Sequence, residues 1–186
     1  MVVTPSNMVP IGTPAVPFSL PEPLTRLSVS FEDVRGEQGT LVMFICNHCP
    51  YVKHVRKALV RLARDYEQRG IGFVAINSND IEAQPDDSPE RMAEEAQTHE
   101  YPFPYLFDET QDVAKAYNAA CTPDFFLYDE NDLLVYRGQL DSTRPGSGTP
   151  NGADLRAALD ALLAGEAPLD DQTPSAGCNI KWKKLN

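Results

Sequence analysis

Leu41-Val42-Met43-Phe44-Ile45-Cys46-Asn47-His48-Cys49-Pro50 carries most of the information about this chain. The unbroken apolar run Leu41 to Ile45 suits a β-strand buried on both faces. Cys46 follows at once. From Pro50 to Arg69 the apolar residues Val52, Val55, Leu59, Leu62 and Tyr66 recur at three- and four-residue steps, the spacing of a helix with one buried face. Lys53, Arg56, Lys57, Arg61 and Arg64 form its other, basic face, and Gly70 ends it. Gly72 to Asn77 then reads as a second buried strand. Together they make a β-α-β unit with a C-x-x-C sequence at its first strand-to-helix junction.

That junction suits thiol chemistry. A helix N-terminus presents unpaired N–H groups and a partial positive charge, and both favour thiolate over thiol. The thiolate is the attacking species in disulfide exchange, so Cys46 is expected to titrate below the ~8.5 of a free thiol. The two-residue spacer lets Cys49 resolve a mixed disulfide formed on Cys46. His48 adds a positive charge beside the sulfurs when protonated, with weaker fields from Lys53 and Arg56. Two other readings compete. The pair could be half of a zinc site completed by His48, Cys121 or Cys178, but no second C-x-x-C or H-x-x-x-H exists, so no metal is expected. The cysteines could also be inert core residues.

Outward from this unit, prolines 5, 10, 14, 17, 21 and 23 make the N-terminus an extended arm with at most edge strands. Leu27 to Phe31 alternates like a short strand, and Arg35 to Gly39 reads as a turn. Ser88-Pro89 caps a helix that runs to about His99. Residues 80–100 hold eight acids against Arg91 alone and read as a solvated acidic face. Pro102 to Phe107 is extended, and Val113 to Tyr117 is a short helix. Asp124 to Tyr128 and Leu133 to Gln139 form a hairpin. Asn151 and Asp154 resemble a capping box that opens a last helix through Leu163. Asp80 and Asp124 lie near strand ends as candidate acids, with solvated turn positions as the expectation for both. His54 is expected to be exposed or capping, and His99 suits a helix C-terminus.

Of 186 residues, 42% are hydrophobic and 23% charged, enough for one domain with a core of its own. The net charge of −11 disfavours nucleic acid and other polyanions as partners. No apolar stretch approaches the ~20 residues of a membrane span. The opening Met1-Val2-Val3-Thr4-Pro5 lacks a basic and an apolar region, so no secretory signal is expected and the cytoplasm is the expected compartment. Four cysteines there point to reactivity rather than structural disulfides.

Cys46-Asn47-His48-Cys49-Pro50, in its β-α-β setting, resembles the active site of the thioredoxin superfamily. Thr122-Pro123, just before the Phe125–Tyr128 strand, resembles that superfamily's cis-proline turn. More closely, the chain resembles the bacterial peroxiredoxin-like group, of alkyl-hydroperoxide-reductase and thiol-specific-antioxidant type, that carries a C-x-x-C. Asn77-Ser78-Asn79-Asp80 and the ending Gly177-Cys178-Asn179-Ile180-Lys181-Trp182 fit that group. The resemblance implies a thioredoxin-like α/β fold over residues 15–165, a central mixed sheet flanked by helices. Residues 1–14 would be an arm and 166–186 a tail. It implies a thiol–disulfide oxidoreductase with Cys46 as nucleophile and Cys49 as resolving thiol. Thr122 and Pro123 would receive the substrate, their backbone pairing with a peptide as an added strand. Protein or small-molecule disulfides, or a peroxide, would be substrates and a cellular dithiol the reductant, with no cofactor.

The chain departs from the pattern in four places. Ile45 stands where thioredoxin has Trp, and Leu41 to Ile45 lacks thioredoxin's buried acid. Peroxiredoxins carry a Thr three residues before the reacting cysteine and an Arg on a later strand; here those positions fall at Cys46 and near Pro123. Both groups polarise a peroxide, so their absence favours dithiol–disulfide exchange. A peroxidase with Cys49 attacking, and Cys46 or Cys178 resolving, is the alternative. A non-enzymatic binding module on a thioredoxin scaffold is another. Cys121, two residues before Pro123, is either a buried small hydrophobe or a third thiol near the pair. Cys178 is either a resolving thiol or a residue packed on the body beside Trp182.

Overall fold

The computed structural model describes residues 3–184; Met1 and Val2, within the segment inspected for a secretory signal, lie outside the described residues. In chain order the elements are β1 (Val3–Pro5), β2 (Ser19–Pro21), β3 (Ser28–Ser30), α1 (Phe31–Val34), β4 (Gly39–Phe44), α2 (Pro50–Tyr66), β5 (Ile71–Asn77), α3 (Pro89–Thr98), β6 (Tyr105–Phe107), α4 (Asp112–Ala116), β7 (Cys121–Thr122), β8 (Asp124–Asp129), β9 (Leu134–Tyr136), α5 (Ala153–Leu163) and β10 (Ala176–Asn179). A five-stranded sheet in the order β6-β5-β4-β8-β9 forms the centre. β4 runs parallel to β5 and antiparallel to β8, so the sheet is mixed.

β4 is the middle strand and is buried along its whole length, as its unbroken apolar run requires. Successive side chains point to opposite faces. Leu41 and Met43 therefore join Val52, Val55, Leu59 and Leu62 of α2 in one core layer. Val42 and Phe44 join Phe18, Phe31, Tyr117 and Phe126 in the other. α2 ends in a 3-10 turn over Glu67–Arg69, closed by Gly70 in the left-handed region at φ 84°. Among the described residues no helix is long and apolar enough to cross a membrane.

Three local expectations change. Phe31 leaves the β3 strand and opens the one-turn helix α1, because Ser30 and Asp33 form a reciprocal capping box there. Gly152 rather than Asn151 caps α5, and Asp154 instead accepts from Gln139 at 2.6 Å. The third change is at the end of the chain. Residues 176–179 return as β10, a strand between β1 and β7. Its sequence Ala-Gly-Cys-Asn has neither alternation nor β-branched residues, and the strand exists because two exposed edges accept it.

Candidate active site

The strand-to-helix junction builds the site. Ile45 N–H still donates to the Ile76 carbonyl at 3.0 Å, which extends the β4–β5 pairing up to Cys46. Cys49 takes the N-cap position of α2 in extended geometry, and Pro50 follows at N1, where a missing N–H costs nothing. Both sulfurs meet Thr122. Cys46 Sγ lies 3.1 Å from Thr122 Oγ1, and Cys49 Sγ lies 3.2 Å from the Thr122 carbonyl. The Thr122–Pro123 bond is cis, as the resemblance implied. The edge expected to receive a substrate is covered by the chain itself: Cys178 of β10 pairs with Thr122, and its Sγ is 2.8 Å from Cys49 Sγ.

The charge distribution over the pair differs from expectation. Burial pushes the Cys46 thiol well above the ordinary thiol range, helped by its hydrogen bond to Cys49 and by the Asp87 charge. Cys49 is instead pulled down to about 5, first by the hydrogen bond from Cys46 and against the effect of its own burial. Cys178 and the backbone N–H groups of Val52 and Cys178 add to this. The cause is positional. Cys49 is the N-cap residue of α2 and is influenced by the Val52 N–H, while Cys46 feels the charge of the Asp87 carboxylate. Cys49 is therefore the more acidic thiol of the pair.

That carboxylate corrects the reading of residues 80–100 as solvated. Asp87 is fully buried. Its Oδ1 accepts the Asn47 and His48 backbone N–H groups at 2.7 and 3.3 Å. Its Oδ2 lies 2.6 Å from His48 Nδ1 and accepts from Asn79 Nδ2 at 2.8 Å. Burial alone would raise this carboxyl, but the His48 contact, with Asn79 and Asn47, outweighs it and holds Asp87 below the ordinary range. Asp87 thus clamps the C-x-x-C spacer by backbone and side chain at once. Tyr105 OH donates to Asn47 Oδ1 at 3.0 Å and fixes the spacer from the other side. Ligand atoms of Cys46, His48 and Asp87 lie within 4.8 Å of one another and are, among the described residues, the group that could hold a metal. Two of the three already bond each other directly.

The remaining candidates separate. Cys121 is buried with Sγ 3.6 Å from the Pro123 carbonyl, and burial pushes its thiol up. Asp124 is no solvated turn residue. It is fully buried, bonded to Ser6 Oγ at 2.6 Å and paired with the equally buried Arg137 at 3.1 Å. Arg137 also donates to Ser6 Oγ and to the Tyr117 and Asn118 carbonyls, with its guanidinium 4.0 Å over the Phe126 ring. Asp80 offers its backbone N–H to the Lys181 carbonyl at 2.8 Å. His54 meets Thr143 Oγ1 at 3.0 Å, and His99 lies 3.5 Å from Glu95. Arg56 pairs with the same Glu95, so its charge is spent away from the sulfurs. Asn79 and Lys181, from the two stretches that resembled the peroxiredoxin-like group, meet: Lys181 N–H donates to Asn79 Oδ1 at 2.8 Å.

The chain is similar over its full length to an uncharacterized conserved protein from Geobacillus kaustophilus, at 56% identity and a TM-score of 0.97, covering 100% of this chain and 99% of that one. The thioredoxin domain of a thiol-disulfide oxidoreductase from Bacteroides vulgatus shares the fold, at 16% identity and a TM-score of 0.62 over 81% of this chain and 98% of that one. The thiol-disulfide oxidoreductase ResA of Halalkalibacterium halodurans is 25% identical over 124 residues, which are 67% of this chain and 65% of that protein's length. The fold is thioredoxin-like. A model of the AhpC/TSA family matches residues 11–137, well over half of the sequence, and the chain belongs to that family of thioredoxin-fold thiol oxidoreductases and peroxiredoxin-type proteins.

Proposed function

We propose that the protein is a thiol–disulfide oxidoreductase whose Cys46–Cys49 pair cycles between dithiol and disulfide. The observation that carries this reading is that both C-x-x-C thiols close on Thr122 of the Pro123 turn, Cys46 Sγ 3.1 Å from its hydroxyl and Cys49 Sγ 3.2 Å from its carbonyl. Transfer of the Cys46 proton to the more acidic Cys49 leaves Cys46 as the attacking thiolate. That thiolate attacks a substrate disulfide and releases one substrate sulfur. Cys49 loses its proton and attacks Cys46 Sγ, the second substrate sulfur leaves, and the Cys46–Cys49 disulfide remains. The substrate gains two electrons and the pair loses two. A cellular dithiol would return them. Thr122 Oγ1, 3.1 Å from Cys46, is placed to donate to that thiolate. The test is trapping: the Cys49→Ser chain, mixed with glutathione disulfide, should accumulate a glutathione adduct on Cys46. Adduct elsewhere, with Cys46 unmodified, would reverse the roles.

The low-lying thiol of Cys49 favours a second reading, a peroxidase with Cys49 attacking. Against it, Arg137 is consumed by Asp124 and three oxygen acceptors and is not free to polarise a peroxide. One equivalent of hydrogen peroxide on the reduced chain separates the two. Oxidation at the pace of an ordinary thiol fits the oxidoreductase, and rapid formation of a sulfenic acid on Cys49 fits the peroxidase.

A further inference from the structure

We propose that Cys178 is a third redox-active thiol, which exchanges with the Cys46–Cys49 disulfide to form an internal Cys49–Cys178 disulfide. The inference rests on the dithiol–disulfide reading above and extends it to the strand that covers the site.

Three observations carry it. Cys178 Sγ is in direct contact with Cys49 Sγ at 2.8 Å, in a strand pair that places Cys178 opposite Thr122. The close approach is made possible by the residue before it. A Cβ on Gly177 would lie 2.0 Å from the Thr122 carbonyl oxygen, so only glycine lets β10 press this near. β10 is also fastened on both sides of the thiol. Before it, Ser175 Oγ donates to the Pro123 carbonyl at 2.6 Å, and β1 pairs along the other edge. After it, Lys181 N–H bonds Asn79, which in turn bonds Asp87, and Gln111 Nε2 donates to the Lys181 carbonyl at 2.8 Å. The strand thus lies where an added peptide would pair with Thr122, and it presents a cysteine to the pair as a disulfide-bearing peptide would.

The exchange balances without an outside oxidant. The Cys178 thiolate attacks Cys49 Sγ of the Cys46–Cys49 disulfide. The Cys49–Cys178 bond forms, the Cys46–Cys49 bond breaks, and Cys46 leaves as a thiolate that takes up the proton Cys178 gave. In the reduced chain burial holds the Cys178 thiol up, at about 12, together with the hydrogen bond and charge of Cys49. Those last two influences disappear once Cys49 is in a disulfide. The product is an oxidised protein in which Cys46 is again a thiol beside Thr122.

The test uses the full chain. Reduced Cys46→Ser protein is treated with one equivalent of diamide, an azodicarbonyl thiol oxidant, with glutathione present, then alkylated and peptide-mapped without reduction. Contact between the sulfurs makes the internal reaction effectively a high-concentration one, so the Cys49–Cys178 disulfide should exceed the glutathione adduct on Cys49 by about tenfold or more. Cys46→Ala serves as a second variant, and adding Cys178→Ser to either should divert Cys49 to the glutathione adduct. A Cys49 adduct with Cys178 still alkylatable in both single variants overturns the inference, while a Cys46–Cys49 disulfide in the wild type leaves the proposed function standing. Wild-type protein that forms neither a Cys46–Cys49 nor a Cys49–Cys178 disulfide overturns both.

Discussion

Asp87→Asn is the substitution that most sharply separates a structural acid from a solvated one. The side chain keeps its size and the Oδ1 acceptor, so the bonds from the Asn47 and His48 backbones survive. Oδ2 becomes an NH2 that faces two donors, His48 Nδ1 and Asn79 Nδ2. A hydrogen bond to a charged group contributes ~1.5–3 kcal/mol. Two are lost, and a change of His48 tautomer restores part of one. The net cost is about 2–4 kcal/mol, near the range for breaking a buried charged pair. At roughly 2 kcal/mol per molar urea, the midpoint of unfolding falls by about 1–2 M. The pH dependence gives an independent signature. Asp87 is held below its unfolded value of ~3.9, so its stabilisation is present above that pH and is lost as pH falls through the folded value. Urea unfolding of wild type and variant across pH 3–7 should therefore show a shallower acid limb for Asp87→Asn. Because the Asp87 charge also raises the Cys46 thiol, the variant's Cys46 should become more acidic even as the fold weakens. Unchanged midpoint and acid limb, within the ~10–15% uncertainty of extrapolation, would refute the clamp.

Further predictions follow from the same contacts. Asp124→Ala leaves Arg137 charged and buried without its counter-ion and should cost ~3–5 kcal/mol in urea unfolding, with Arg137→Met in the same chain restoring part of it. Gly177→Ala should loosen β10 from Thr122, speeding alkylation of Cys49 in the native state; an unchanged rate would show that the strand does not guard the thiol. Thiolate ultraviolet absorbance of the reduced chain should show one thiol titrating near pH 5, absent in Cys49→Ser. Because that folded value lies below the ~8.5 of an unfolded cysteine, this thiol stabilises the reduced fold above pH ~8.5 and the contribution fades as pH falls toward 5. Chemical unfolding at pH 5.5 and 7.5 should thus differ more for the wild type than for Cys49→Ser.

The β-α-β unit was legible because its signals are local and agree. An unbroken apolar run, a 3.6-residue period and Gly70 point to one reading, and the two cysteines fall where it places a helix end. The hairpin of β8 and β9 was visible for the same reason. What was hidden depends on distant contacts. Asp87 sits among acids that are mostly exposed, and nothing in Gln-Pro-Asp-Asp-Ser-Pro says which of its two aspartates turns inward. Its burial is set by Asn47, His48 and Asn79, two of them some 40 residues away in sequence. Asn79 within Asn77-Ser78-Asn79-Asp80 was the available hint, as a polar run directly after a buried strand. β10 was hidden more deeply. Its four residues have weak strand propensity, and its place depends on the edges of β1 and β7. The upward shift of the Cys46 thiol is not legible in the sequence because it comes from burial and Asp87, and only Cys49 is the N-cap of α2.

The central claim is that Cys46 and Cys49 form one redox couple. The most direct measurement equilibrates the wild-type chain across a series of glutathione to glutathione disulfide ratios, quenches with alkylating agent and maps the peptides without reduction. The account predicts a single two-electron transition in which Cys49 loses alkylation in step with Cys46, any Cys46 returned to the thiol being matched by loss at Cys178, all in disulfide-linked species without glutathione. Independent loss of the two thiols, each ending as a glutathione adduct, or alkylation of both at every ratio, would contradict it.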